Sequence, residues 1–261
     1  GFGVDVMNLM EINNLDKSFG GLSALLDFNF QIAENELVGL IGPNGAGKTT
    51  VFNLITGVYK PDRGSIMFRG ENLAGLPPYT ICAKGIARTF QNIRLFNDLT
   101  VLDNVKISAH KNVPYGLISA IFRTPGFFRG EEEIEKEALR YLELFHLKDK
   151  KDELAKNLPY GEQRRLEIVR ALATRPLLLI LDEPAAGMNP QETQELMGLI
   201  RHIRDEFNLT ILLIEHDMSL VMGVCERLYV LDYGQIIAEG TPAEIRSNRR
   251  VIEAYLGEDV E

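Results

Sequence analysis

The nine residues Gly42-Pro43-Asn44-Gly45-Ala46-Gly47-Lys48-Thr49-Thr50 constrain this chain more than any other stretch. They have the form G-x-x-x-x-G-K-[ST], and their flanks decide how they are read. Leu37-Val38-Gly39-Leu40-Ile41 is a short apolar run suited to a buried strand, and Val51, Leu54 and Ile55 fall at helical spacing. A glycine-rich loop between a strand and a helix wraps its backbone N–H groups around phosphate oxygens, at the positive end of the helix dipole. Lys48 is long enough to reach the β- and γ-phosphates, and the Thr49 hydroxyl suits Mg2+. The bland alternative, a glycine turn with a surface lysine, does not explain the flanks. Gly42, Asn44, Gly45, Ala46, Gly47, Lys48, Thr49 and Thr50 are therefore the expected nucleotide contacts.

Bulk properties narrow the class further. The 261 residues, 45% hydrophobic and 25% charged, suffice for one large domain or two modest ones. A net charge of −9 argues against a nucleic-acid partner. Cys82 and Cys225 offer neither a disulfide framework nor metal spacing, so a reducing cytosol is expected. The apolar run Leu177 to Leu181 is far too short to cross a bilayer. No charged-then-apolar signal layout opens the chain, and Gly1 to Val6, ahead of the first methionine, read as a remnant of expression. Any attachment to a membrane is expected to come through a partner.

The first ~90 residues are β-rich, with strands expected at Ile12 to Leu15, Leu26 to Ile32 and Ser65 to Phe68. From Thr100 the pattern turns helical: Thr100 and Asp103 form a capping box ahead of Val101, Leu102 and Val105. Pro114, Pro125 and Gly126 are expected to break the chain. Ile134, Ala138, Tyr141, Leu142 and Phe145 then mark an amphipathic helix, with the solvated acids Glu131 to Glu133 and Glu135 near its start. After Gly161 follow a helix to Ala173, a strand Leu177 to Leu181, a helix Gln191 to Phe207, a strand Thr210 to Ile214 and another helix. This is parallel α/β architecture with a helical insertion.

Ligands gather at the carboxyl ends of parallel strands, and two acids close the strand at Leu181. Asp182 suits the Mg2+ shell and Glu183 suits a general base for an attacking water. The next strand, Thr210 to Ile214, runs into Glu215-His216-Asp217, and the two ring nitrogens of His216 can bridge a γ-phosphate and that water. Gln91, where the β-rich part meets the insertion, offers an amide to Mg2+ or water. Phe19, upstream of the phosphate loop, either stacks on an adenine face or packs in the core.

These residues, in this order from about Met10 to Glu239, resemble the ATP-binding-cassette ATPases. Leu158-Pro159-Tyr160-Gly161-Glu162-Gln163-Arg164-Arg165 looks like the family's signature stretch. The resemblance implies an α/β fold: a phosphate-loop NTPase core with a mostly parallel sheet, an N-terminal antiparallel β subdomain and an inserted α-helical subdomain. Residues 10–91 and 161–239 would form the core with the β subdomain, 92–160 the insertion and 240–261 a tail. Two such cassettes meet head to tail, so Tyr160, Gly161 and Glu162 would reach ATP in a second ATPase, identical or different. Two positions depart from the pattern. Pro159 stands where a serine is usual, keeping the helix dipole but losing a hydroxyl. Asn189 stands where an aspartate is usual, although Asn189-Pro190-Gln191-Glu192 still reads as a capping box.

The Phe90-Gln91-Asn92-Ile93-Arg94-Leu95-Phe96 stretch, the Arg-Arg-Leu-Glu-Ile-Val-Arg-Ala-Leu continuation of the signature, and the tail Ala238 to Gly257 are similar to one branch. That branch is the ATPase subunits of branched-chain amino-acid importers. It implies membrane-spanning permease subunits, an external substrate-binding protein, and a peripheral place on the cytoplasmic face of the inner membrane. Phe90, Ile93, Leu95 and Phe96 would form a docking groove for the permease or bury against the core. An ATPase of a lipopolysaccharide-type exporter is the alternative. A soluble cassette ATPase of DNA repair or ribosomes fits less well, given a single cassette, a short insertion and an acidic balance.

Overall fold

The structure, a computed structural model, describes residues 8–110 and 125–256. Among these the strands are, in chain order, β1 (Asn8–Phe19), β2 (Leu22–Ala33), β3 (Leu37–Ile41), β4 (Arg63–Phe68), β5 (Glu71–Asn72), β6 (Ile86–Arg88), β7 (Leu178–Asp182), β8 (Thr210–Glu215), β9 (Arg227–Asp232) and β10 (Gln235–Gly240). They make two sheets, ordered β2-β1-β4-β5 and β10-β9-β3-β8-β7-β6.

The first sheet is the antiparallel one expected near the N-terminus, but β1 and β2 are much longer than their apolar runs. Asn13-Asn14 and Asp16-Lys17 interrupt the inward alternation, and the pairing shifts register there. Side chains carry the strands through: Asp16 accepts from the Asp27 N–H at 2.7 Å and Asn29 from the Asn14 N–H at 3.0 Å. Polar side chains thus replace the missing rungs, so the strand continues.

In the second sheet β3 runs parallel to both β8 and β9, and β7 parallel to β8. Every residue of β3, β7 and β8 is buried, as expected for strands covered on both faces. β10 returns antiparallel to β9 through Tyr233-Gly234, both at positive φ.

The chain divides into two compact units, residues 1–86 with 178–183 and 200–261, and residues 87–177 with 184–199. In the first, Ile12, Leu15, Phe28 and Ile32 join Val38, Leu40, Ile55, Ile180, Leu212 and Leu231 in one apolar core. The second holds the helices Val101–Ala109, Pro125–Leu144 and Tyr160–Leu172.

Thr100 caps the first of these helices by accepting the Asp103 N–H at 3.0 Å. Ile134, Ala138, Tyr141, Leu142 and Phe145 are all buried, as their spacing predicts. The start of that helix differs from expectation. Pro125 opens it instead of breaking the chain, because a first-turn residue has no helical partner for the N–H that proline lacks. The helix therefore begins earlier, and its first turn contains no acid. Glu131 and Glu135 approach Lys106 at 3.8 and 3.5 Å instead, while Glu132 and Glu133 face solvent. Pro114 lies outside the described residues.

Candidate functional site

The phosphate-type loop leaves β3 at Ile41 and enters the helix Lys48–Ile55. Two of its glycines, Gly42 and Gly47, sit where nothing larger fits. A Cβ on Gly42 would lie 2.1 Å from the Leu231 carbonyl oxygen, and Gly47, at φ +109°, would place one 2.9 Å from the Ala24 carbonyl oxygen. The loop is also pinned from outside, since the Gly234 N–H donates to the Ala46 carbonyl at 2.8 Å. The Gly234 carbonyl in turn accepts from the Leu26 N–H at 3.0 Å.

Lys48 is 7% exposed, and its Nζ donates to the Gly42 and Pro43 carbonyls at 2.5 and 2.8 Å. The helix has no side-chain cap and no acid in its first turn. Uncapped N–H groups, a buried ammonium and a glycine cradle together form an anion site. Asn44, Gly45 and Thr49 are exposed at its mouth, with Ala46 buried and Thr50 half-buried behind.

β7 delivers Asp182, which is 8% exposed, and then Glu183. Glu183 adopts φ +43°, a left-handed conformation that costs a non-glycine residue energy and clusters at functional sites. Its N–H donates to the Ile214 carbonyl at 2.9 Å, while its Oε1 lies 3.2 Å from His216 Nδ1. The contact brings the imidazole and the carboxylate together where β7 and β8 end. Glu215, 2% exposed, lies 4.0 Å from the same Nδ1 and was not anticipated from the sequence. Among the described residues no three His, Cys, Asp or Glu side chains converge to hold a metal. The donor set fits Mg2+, which prefers one or two protein oxygens plus phosphate and water, with Thr49 and Asp182 as candidates. Phe19 is 42% exposed, with its ring edge-on to Tyr59 at 5.0 Å, so core packing does not account for it.

The second unit carries the remaining expected residues. Gln91 is exposed, and its carbonyl accepts from Arg164. The Arg88 and Arg94 guanidinium groups approach the Phe90 ring, 4.2 and 3.9 Å from its centroid. Phe96 is 46% exposed with Arg170 over its ring, so simple burial does not account for it; Ile93 and Leu95 are half-buried.

The signature helix begins at Tyr160, and Pro159 is the cap residue just before it, not part of the first turn. Its carbonyl still accepts from the Gln163 N–H at 3.0 Å. Tyr160 is 46% exposed and its hydroxyl accepts from Arg164 Nε at 3.1 Å. A Cβ on Gly161 would meet the Glu192 carboxylate at 3.2 Å, and Glu162 is ion-paired to Lys150 at 2.7 Å. Asn189 and Glu192 form the expected reciprocal cap at 2.9 and 3.0 Å.

A cluster that the sequence reading missed lies further along the same helix. Arg164 and Glu167 are 3% and 5% exposed and 3.5 Å apart. Their i,i+3 spacing was the available signal. Burial pushes the Glu167 carboxyl above its ordinary value, against the N–H groups of Phe90 and Arg94 and the charge of Arg164.

Residues 25–186 match the family described as ABC transporter, and residues 235–261 match one described as branched-chain amino acid ATP-binding cassette transporter. Over 250 residues the chain is 50% identical to the high-affinity branched-chain amino acid transport ATP-binding protein LivG of Escherichia coli (strain K12), covering 96% of this chain and 98% of LivG. The lipopolysaccharide export system ATP-binding protein LptB of the same organism is 34% identical over 253 residues, covering 97% and 99%. Among solved structures, the ADP conformation of MJ1267, an ATP-binding cassette of an ABC transporter, superimposes with a TM-score of 0.83 at 32% identity, covering 96% and 99%.

Proposed function

The chain belongs to the ATP-binding-cassette transporter ATPases, and from that premise we propose that it powers a branched-chain amino-acid importer. The observation that carries the substrate class is the match of its last residues, 235–261, to the branched-chain branch. The greater identity to LivG than to LptB favours import over the exporter alternative.

The chemistry is ATP hydrolysis. The Gly42–Thr50 loop and the Lys48 ammonium hold the phosphates, and Phe19 offers an exposed ring to the adenine. Thr49 and Asp182 would hold Mg2+, with the Gln91 amide on the metal or the water, and the ion would supply positive charge against the phosphates. Glu183 takes the proton of the attacking water, and His216 keeps its carboxylate in place at 3.2 Å. The water then attacks the γ-phosphorus, the bond to the β-γ bridging oxygen breaks, and ADP and phosphate leave.

A second cassette completes the working unit. Tyr160, Gly161 and Glu162 serve the partner's nucleotide, and the partner's signature serves this one. Pro159 brings no hydroxyl, so the helix N-terminus supplies the attraction there. Among the described residues no helix is long and apolar enough to cross a membrane. The chain sits peripherally on the cytoplasmic face beneath permease subunits, which Phe90, Ile93, Leu95 and Phe96 help to dock, while an external binding protein delivers substrate.

Vesicles reconstituted with the chain, its permease subunits and its companion cassette provide the test. ATP-driven uptake of labelled leucine, isoleucine or valine is expected, and Glu183→Gln abolishes it while ATP still binds. Uptake that survives this substitution refutes the catalytic assignment; absent uptake of all three amino acids, with ATP hydrolysis intact, refutes the substrate class.

A further inference from the structure

Three side chains on one face of the signature helix grip the backbone of residues 90–94, which contains Gln91. Arg164 donates to the Phe90 carbonyl at 2.8 Å and to the Gln91 carbonyl. Glu167 Oε1 accepts from the Phe90 N–H at 3.2 Å, and the Arg94 N–H also bonds to this carboxylate. Arg170 donates to the Arg94 carbonyl. The segment belongs to no regular element, so these contacts supply bonds that a helix or strand would otherwise make. Its carbonyls meet two guanidinium groups and its N–H groups meet one carboxylate, which suits charge-assisted bonds.

We propose that Glu167, paired with Arg164, is a positioning residue for hydrolysis: it fixes the backbone from which the Gln91 side chain projects. This rests on the reading of Gln91 as a ligand for Mg2+ or water. A buried carboxylate is costly to retain and needs its partner to be tolerated. Here it also satisfies two backbone donors that a purely apolar helix face would leave without acceptors. The consequence is mechanical. The helix that opens with the signature and the loop carrying Gln91 shift as one piece, so a displacement at Tyr160–Glu162 is passed to Gln91 without an intermediate element.

The test is a double-mutant cycle in ATP turnover by the purified full chain with Mg2+. Glu167→Gln keeps the shape and one acceptor oxygen but removes the charge. It is expected to lower kcat about tenfold, with KM for ATP changed less than about twofold, and to weaken the apparent affinity for Mg2+. In a Gln91→Ala background the same substitution is expected to cost almost nothing more, because the group it positions is gone. A merely structural role predicts the same loss in both backgrounds, and that result overturns the proposal. Arg164→Lys retains the charge but cannot hold both carbonyls. It should reproduce the pattern, and it decides the matter where Glu167→Gln does not fold. Gln91→Ala with wild-type kcat and Mg2+ dependence overturns the reading of Gln91 itself, so the two failures are distinguishable.

Discussion

Gly42→Ala is the sharpest test of the phosphate cradle, because the added methyl meets backbone and not a movable side chain. Its Cβ would lie 2.1 Å from the Leu231 carbonyl oxygen and 3.1 Å from the carbonyl carbon. Restoring even 3.0 Å requires a shift of about 0.9 Å. Leu231 cannot yield, since it is fully buried in β9, which is paired to β3 along Val38 to Ile41. The loop must move instead. Overpacking of this kind costs about 1–3 kcal/mol, and each kcal/mol lowers Tm by about 2–4 °C at this chain length. Moving the loop's N–H groups off the phosphates costs about 1.5–3 kcal/mol for each charge-assisted bond lost, which raises Kd by at least about tenfold. Calorimetric titration with a non-hydrolysable ATP analogue and a thermal melt measure both effects. Gly198→Ala is the control. It is exposed within the helix Pro190–Phe207, and its Cβ would meet nothing within 4 Å, so it should stabilise by about 0.5–1 kcal/mol. Gly42→Ala with wild-type Tm and nucleotide affinity refutes the reasoning.

Lys48→Ala removes a buried ammonium that two loop carbonyls hold. ATP-analogue affinity should fall at least about tenfold, and unchanged binding contradicts the cradle. Glu137 offers a pH test: burial opposes its charge, but the Arg175 guanidinium and Tyr141 hydroxyl together hold its carboxyl below 4.5. Its stabilising contribution is therefore present above 4.5 and is lost as pH falls through the lowered folded value. Arg175 is 60% exposed, so the pair contributes only about 0–1 kcal/mol. The Tm difference between wild type and Arg175→Ala should be largest above 4.5 and shrink below it; a pH-independent difference contradicts the assignment. Pro159→Ser restores a hydroxyl at the cap of the signature helix. It should alter ATP turnover only with a companion cassette present, and an equal effect in the isolated chain points to a homodimer.

The parts legible in the sequence were those whose signal is local. Five-residue apolar runs buried on both faces revealed β3, β7 and β8 to within a residue or so, because strand burial and hydropathy coincide there. The residues following those runs, from Gly42 to Lys48 and Asp182 to Glu183, followed from chain direction. Where polar side chains substitute for backbone pairing, as Asp16 and Asn29 do in β1 and β2, hydropathy shows an interruption that the fold does not have. Pro125 misled for a different reason: proline marks a boundary, but whether it ends or begins a helix depends on the residues that follow. Other features had no local trace. The left-handed backbone of Glu183 follows from the turn leaving β7, and the contacts of Arg164 and Glu167 with Phe90 span more than seventy residues.

The tip of the β9–β10 hairpin has its own consequence. Gly234 gives its N–H to Ala46 and its carbonyl to Leu26, and a methyl there would strike the Ala24 carbonyl oxygen at 2.5 Å. One residue late in the chain thus clasps the nucleotide cradle and an antiparallel strand that were both made long before it. During synthesis the cradle must await that clasp, so truncation ahead of the hairpin leaves a fragment that keeps every cradle residue yet grips phosphate poorly.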